Sequence, residues 1–150
     1  MIIRLADMDR DALAIHDATK DFLTRIVPHQ VMPDSDEEIM TCVGRIIDLN
    51  GVEVVVAEND SGLQGCMGML YQPFIWNPKM MAASEVFIWT AHNSPSTTFL
   101  RMLRFVERRM EELNVRVKDF QSLTSSPKGL DKVYRKMGLM PTQTTWMGVV

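Results

Sequence analysis

The stretch that decides the fold runs Ala83-Ser84-Glu85-Val86-Phe87-Ile88-Trp89-Thr90, then Ser94-Pro95, then a spaced set of Phe99, Leu103, Val106, Met110 and Leu113, then Val115-Arg116-Val117. Its first part is rich in β-branched and aromatic residues, which pack well on a pleated surface, so it reads as a strand. Serine followed by proline is a helix start: the hydroxyl can cap free amides, and proline has no N–H to lose at the first helical position. From there the apolar residues step by four and three. Arg101, Arg104, Arg108 and Glu112 fall mainly elsewhere on the wheel, so one face of this helix, expected to be the longest of the chain, is core. Residues 115–123 return as a strand. Strand, helix, strand in this order is a β-α-β crossover.

Working outward, residues 2–5 are a short strand, and Asp7-Met8-Asp9 can cap a helix with apolar positions Ala12, Ile15, Phe22 and Ile26. Pro28 and Pro33 break that pattern. Ser35 with Glu38 three residues on forms a capping box before Ile39, Val43, Ile46 and Ile47. Gly51 ends this second helix. Residues 52–58 and 63–74 read as a hairpin around the turn Asn59-Asp60-Ser61-Gly62, and Gly65 and Gly68 within it suggest a bulge or a close approach. A turn at residues 76–79 precedes the strand at 83–90. Downstream, residues 130–137 form a short helix ended by Gly138, and residues 142–150 a terminal strand. The string β-α-α-β-β-β-α-β-α-β predicts a single α/β (α+β) domain over residues 1–150: a mixed, mostly antiparallel sheet flanked by about four helices.

Composition sets the boundaries. At 150 residues, 46% hydrophobic and 23% charged, the chain is that of a soluble globular domain, which excludes disordered, collagenous and disulfide-stapled classes. No apolar run approaches the roughly 20 residues of a membrane-spanning helix, so no membrane partner is expected. The first residues do not read as a signal peptide, and the expected compartment is the cytoplasm. A formal net charge of -3 does not advertise a nucleic-acid binder. The one cationic cluster, Arg101, Arg104, Arg108 and Arg109, shares its helix with Glu107, Glu111 and Glu112, and an ion-paired solvated face is expected there. Cys42 and Cys66 are expected to be buried thiols with no metal spacing. The 13 methionines suit an adaptable core or, alternatively, a Met-rich partner surface.

The element order, with Glu85-Val86-Phe87-Ile88-Trp89 before the long helix and Val133-Tyr134-Arg135-Lys136-Met137-Gly138-Leu139 near the end, resembles the GNAT superfamily of acetyl-coenzyme-A-dependent N-acetyltransferases. The similarity spans essentially the whole chain. Its most specific piece, residues 134–139 followed by Pro141-Thr142-Gln143-Thr144-Thr145-Trp146, is similar to small GNAT-like proteins, bacteriophage ones included. One segment departs from the family. Where relatives carry a glycine-rich loop led by arginine or glutamine around the coenzyme pyrophosphate, this chain has Ala91-His92-Asn93-Ser94-Pro95-Ser96-Thr97-Thr98-Phe99. Glycine matters there because the backbone must come close to phosphate and adopt positive φ.

The resemblance implies acetyl transfer from acetyl-CoA to a small-molecule or protein amine. It places Glu85 as the carboxylate that deprotonates the amine, and Tyr134 as the acid near the coenzyme sulfur. It pairs the backbone of Ile88 and Thr90 with the pantetheine arm. For the pyrophosphate, the amides opening the long helix, Asn93, the hydroxyls of Ser94, Ser96, Thr97 and Thr98, and the cation of Arg101 stand in for the missing glycines. The bland roles remain beside these: Glu85 a strand-start carboxylate, Tyr134 a packed helix residue, the serine and threonines a solvated helix start. His92 is a second base or a solvated loop residue, while His16 and His29 have no partner spacing. Phe74, Trp76 and Trp89 line an acceptor pocket or the core. A different class is also open: a degenerate GNAT fold serving as a binding or structural module, docking on a host or virion component. The uncharged finish Trp146-Met147-Gly148-Val149-Val150 leaves either a homodimer through the terminal strand or an interior strand.

Overall fold

The computed structural model describes residues 1–26, 35–122 and 129–142. Five strands form one sheet in the order β1 (Ile2–Leu5), β2 (Val52–Asn59), β3 (Gly62–Phe74), β4 (Asn77–Thr90) and β5 (Val115–Asp119). The first four run antiparallel to their neighbours, and β5 runs parallel to β4. The helices are α1 (Met8–Ile26), α2 (Asp36–Ile47), α3 (Thr98–Glu112) and α4 (Leu130–Lys136). This is the mixed sheet expected, with a crossover helix, α3, joining β4 to its parallel partner.

Period-two alternation on β2 divides its side chains between two cores. Val54 and Val56 join Cys66 and Phe87 under Ile15 and Ala18 of α1 and Ile39 and Val43 of α2. Val55 and Ala57 join Met67, Met69 and Ala83 under Met102, Val106 and Met110 of α3. The methionines Met67, Met69, Met102 and Met110 are buried, so the adaptable-core reading holds for them. Met102, absent from the stripe read along α3, sits at its centre with no exposure. Of the cysteines only Cys66 is buried; Cys42 is half-exposed, because it lies beside Val43 on the outer flank of α2.

Several boundaries differ from expectation. α3 opens at Thr98, capped by Thr97 without a side-chain bond, so Ser94-Pro95 belongs to the preceding turns rather than to the helix. The longest helix is α1 with 19 residues against 15 for α3, since Asp7 accepts the Asp9 amide at its start and no breaker intervenes before Ile26. The strand expected at 83–90 begins at Asn77. The turn read at 76–79 is a reversal at Ile75 and Trp76, where Phe74 faces Asn77, followed by a bulge at residues 78–80 before Met81 meets Pro73. β5 stops at Asp119 instead of reaching 123. Pro28, His29 and Pro33, Leu123, and residues 143–150 of the expected terminal strand lie outside the described residues.

Ser35 caps α2 as the sequence implies, its Oγ accepting the Glu38 amide at 3.2 Å. Gly65 and Gly68 within β3 are close-approach positions. A Cβ on Gly65 would lie 2.9 Å from Cε of Met102 and 3.1 Å from the Trp89 carbonyl, so the bare backbone lets α3 settle onto the sheet.

Candidate active site

β4 and β5 part company early. Their last pair is Ser84 with Asp119, and β5 ends there, while β4 continues through Glu85-Val86-Phe87-Ile88-Trp89-Thr90 with, among the described residues, only β3 beside it. No described strand pairs with the β5-facing edge of this segment. A bulge marks the same place: Gly68 pairs with Phe87 and Met69 with Glu85, so Val86 has no partner. An extra residue shifts the alternation by one. Phe87 consequently turns to the α1–α2 core, and Ile88 to the α3 core.

Into the gap come two side chains, Glu85 and Tyr134, and the backbone of Gln121. Oε2 of Glu85 accepts the Gln121 backbone N–H at 3.2 Å, and the Tyr134 hydroxyl lies 3.2 Å from the same oxygen. The Gln121 carbonyl is 3.1 Å from that hydroxyl as a second acceptor. Tyr134 itself is held from several sides. It is 7% exposed, and its ring packs on Phe120 with centroids 5.5 Å apart. α4 ends in a Schellman motif, with Leu139 N–H donating to the Tyr134 carbonyl and Gly138 N–H to Arg135. Gly138 has φ 79°, the left-handed conformation this cap requires. Ser122 Oγ donates to Asp131 Oδ1 at 3.0 Å, tying the segment after β5 to the first turn of α4.

Burial raises the Glu85 carboxyl to about 7; the Gln121 amide and the Tyr134 hydroxyl oppose that rise, and the nearby negative charge of Asp119 adds to it. Burial and then the Glu85 charge push the Tyr134 hydroxyl above the ordinary tyrosine range. A carboxylate poised near neutrality can take a proton from an amine, and a phenol kept protonated can give one to a departing thiolate.

The remaining sequence candidates are placed as follows. Ile88 and Thr90 lie on the open length of β4, their other edge paired to Met67 and Gly65. Asn93, Ser96 and Thr97 are exposed and Ser94 half-buried, in a segment where Ser94 N–H bonds Ala91 and Thr98 N–H bonds Pro95. No residue of that segment has positive φ, so its amides do not form a nest. The α3 amides of Phe99 and Leu100 precede the first helical bond, Arg101 N–H to Thr97, and point out of the helix start. Thr98 is fully buried with its hydroxyl 3.6 Å from Sδ of Met1, so it serves packing. Arg101 donates to the Met1 carbonyl at 2.9 Å and lines a surface groove with Ile3, Arg104, Glu107, Arg108 and Glu111, which neither Glu85 nor Tyr134 reaches. The open β4 edge and the α3 amides fit an extended coenzyme arm and its phosphates; the glycine-free turn fits them less closely.

His92 is exposed, and His16 is buried beside Asp17. Trp76 is 84% exposed at the hairpin tip, Phe74 half-buried, and Trp89 donates to Asp21 at 2.6 Å. Of the α3 arginines, Arg109 pairs with Glu53 and Glu112, whereas Arg104 and Arg108 form no ion pair among the described residues. No group of His, Cys, Asp and Glu able to hold a metal occurs among them either. No described helix is long and apolar enough to cross a membrane. Sequence reading missed Gln121, because a backbone amide bridging two side chains leaves no residue-type signal.

No protein-family model matches the chain, and no curated protein sequence matches it. Solved structures do. A ribosomal-protein-alanine N-acetyltransferase from Brucella melitensis biovar Abortus 2308 superposes with a TM-score of 0.74 at 13% identity, covering 100% of both chains. A predicted acetyltransferase from Clostridium acetobutylicum, solved with acetyl-CoA, gives 0.72 at 18% identity over 99% of this chain and 95% of that one. An aminoglycoside acetyltransferase, meta-AAC0020, from an uncultured soil metagenomic sample in complex with sisomicin gives 0.72 at 10% identity, again over 99% and 95%. At such identities the likeness is one of architecture, and the architecture is that of the GNAT-type acetyltransferases.

Proposed function

We propose that this chain transfers an acetyl group from acetyl-CoA to an amine, with Glu85 as general base and Tyr134 as general acid. The observation that carries the reading is the meeting of these two side chains, 3.2 Å apart, where β4 leaves β5. The open β4 edge at Ile88 and Thr90 takes the pantetheine amides. Asn93, Ser94, Ser96 and Thr97, the amides of Phe99 and Leu100, and Arg101 take the phosphates, helped by the positive end of the α3 dipole. Oriented amides at the bulge polarise the thioester carbonyl. The acceptor is an amine whose proton Glu85 removes before or during attack.

Isothermal titration with acetyl-CoA, followed by release of free thiol in the presence of a peptide with N-terminal alanine or of sisomicin, tests the reading. Tyr134→Phe is expected to keep coenzyme affinity within about threefold and lose roughly 10²-fold or more in kcat. Coenzyme at about 100 times its Kd should stabilise the fold by roughly 2.7 kcal/mol. No binding and no thermal shift at millimolar coenzyme would instead support a GNAT fold used as a binding module. Self-pairing through residues 142–150 belongs to the same proposal, and sedimentation at micromolar concentration decides it.

A further inference from the structure

An acid and a base that act independently each need a route to solvent to recover their starting state. Here that route is poor for Tyr134, which is 7% exposed and covered by Phe120. A shorter route exists. The phenolic oxygen is 3.2 Å from Oε2 of Glu85, and among the described residues its single proton has that oxygen and the Gln121 carbonyl, at 3.1 Å, as acceptors. In the tetrahedral intermediate the attacking nitrogen and the departing sulfur are bonded to one carbon. A base touching the first and an acid touching the second then stand about one hydrogen bond apart, roughly 3 Å. The observed separation meets that requirement.

Resting on the acetyl-transfer reading above, we infer that Glu85 and Tyr134 act as one proton relay, in which the proton taken from the amine resets the acid that protonates the thiolate. The amine nitrogen bonds to the thioester carbonyl carbon, and its proton passes to the Glu85 carboxylate. The carbon–sulfur bond then breaks, the sulfur takes the Tyr134 proton, and the tyrosinate takes the proton held by Glu85. Amide and thiol leave, and both side chains regain their initial protonation with no other reactant. Gln121 is a positioning residue: its N–H holds the Glu85 oxygen and its carbonyl aligns the phenol. Among the described residues, Asp119 from β5, and Asp131 from α4 through Tyr134, are the other charged groups acting on the pair.

Two measurements test this. In the free protein, carbon-13 NMR of the Glu85 carboxyl is followed through pH in wild type and Tyr134→Phe; loss of a donor to the carboxylate should move the midpoint upward, and an unmoved midpoint overturns the relay. In turnover with acetyl-CoA and the acceptor that serves the wild type, Glu85→Gln, Tyr134→Phe and the double variant are compared. A relay predicts a double variant within about twofold of the slower single one. Losses that multiply overturn the relay while leaving acetyl transfer standing. A wild type inert toward acetyl-CoA with every amine overturns the acetyl-transfer reading and the relay together.

Discussion

The ring of Phe87 lies against the bare Cα of Gly68: a Cβ built there would stand 2.5 Å from Cε1 of Phe87. These residues are cross-strand partners immediately beside the Val86 bulge that aims Glu85 into the gap. Phe87 is 3% exposed and cannot swing aside without disturbing the α1–α2 core. Gly68→Ala should therefore destabilise by about 1–3 kcal/mol in urea unfolding, the cost of overpacking a filled core. Adding Phe87→Leu should recover part of it. An alanine variant as stable as wild type would mean that the contact is slack.

Glu85 makes a second stability prediction, with an unusual sign. Its carboxyl is raised from 4.5 to about 7 on folding. Between those values the folded chain holds more proton than the unfolded one, so stability falls as pH rises through this window. Above pH 7 the full penalty is present, up to roughly 3 kcal/mol. Glu85→Gln should thus raise the melting temperature at pH 8 and change it little at pH 4.5. An equal shift at both would show that the carboxylate carries no such penalty.

The fold was legible because its signals are local and repeat. The α3 stripe, the Ser35 cap, the hairpin at Asn59–Gly62 and the Gly138 stop each show in a few adjacent residues, and their order leaves few topologies. Glu85 and Tyr134 were legible only through resemblance; no spacing brings positions 49 apart in sequence into contact. What sequence obscured has physical causes. Ser94-Pro95 has the chemistry of a helix start, yet the chain spends two turns before Thr98 because α3 must begin where Thr98 and Met102 close over Gly65. The end of β5 at Asp119, which opens the site, leaves no mark in residues 115–123, since their β character continues past it.

Arg4 ties β1 to two other elements. Its guanidinium makes two bonds to Asp11 of α1, at 2.6 and 2.9 Å, and two to Glu58 of β2, at 3.1 and 3.0 Å. Asp11 is 7% exposed and also accepts the Asp7 amide at 2.8 Å. Arg4→Met would strand that carboxylate without its main partner, costing about 2–4 kcal/mol, whereas Arg4→Met with Asp11→Leu should recover most of the loss. The bond from Arg4 holds the Asp11 carboxyl below its ordinary 3.8, so its contribution is present above that pH and is lost as pH falls through the lower, folded value. In Arg4→Met the onset of acid unfolding should move to higher pH. Circular dichroism titrations of the three proteins check this, and an unchanged acid limb would refute it.

The two cysteines should separate cleanly by reactivity. Burial drives the Cys66 thiol up to about 12, and Cys66 has no exposed surface between β2 and β4 in the α1–α2 core. A thiol reacts as its thiolate, so Cys66 is protected both by its proton and by its surroundings. Cys42 is half-exposed on α2. A maleimide at pH 7 should therefore label one site per folded chain, Cys42, and Cys42→Ser should leave a protein that is labelled only at the rate of unfolding. Because Cys66 sits across from Trp89 and two residues from Gly68, its labelling rate also reports opening of the sheet beside Glu85. Acetyl-CoA bound along β4 should slow that rate by the factor by which it stabilises the fold, and rapid labelling of folded Cys42→Ser would show that the sheet opens locally at this point.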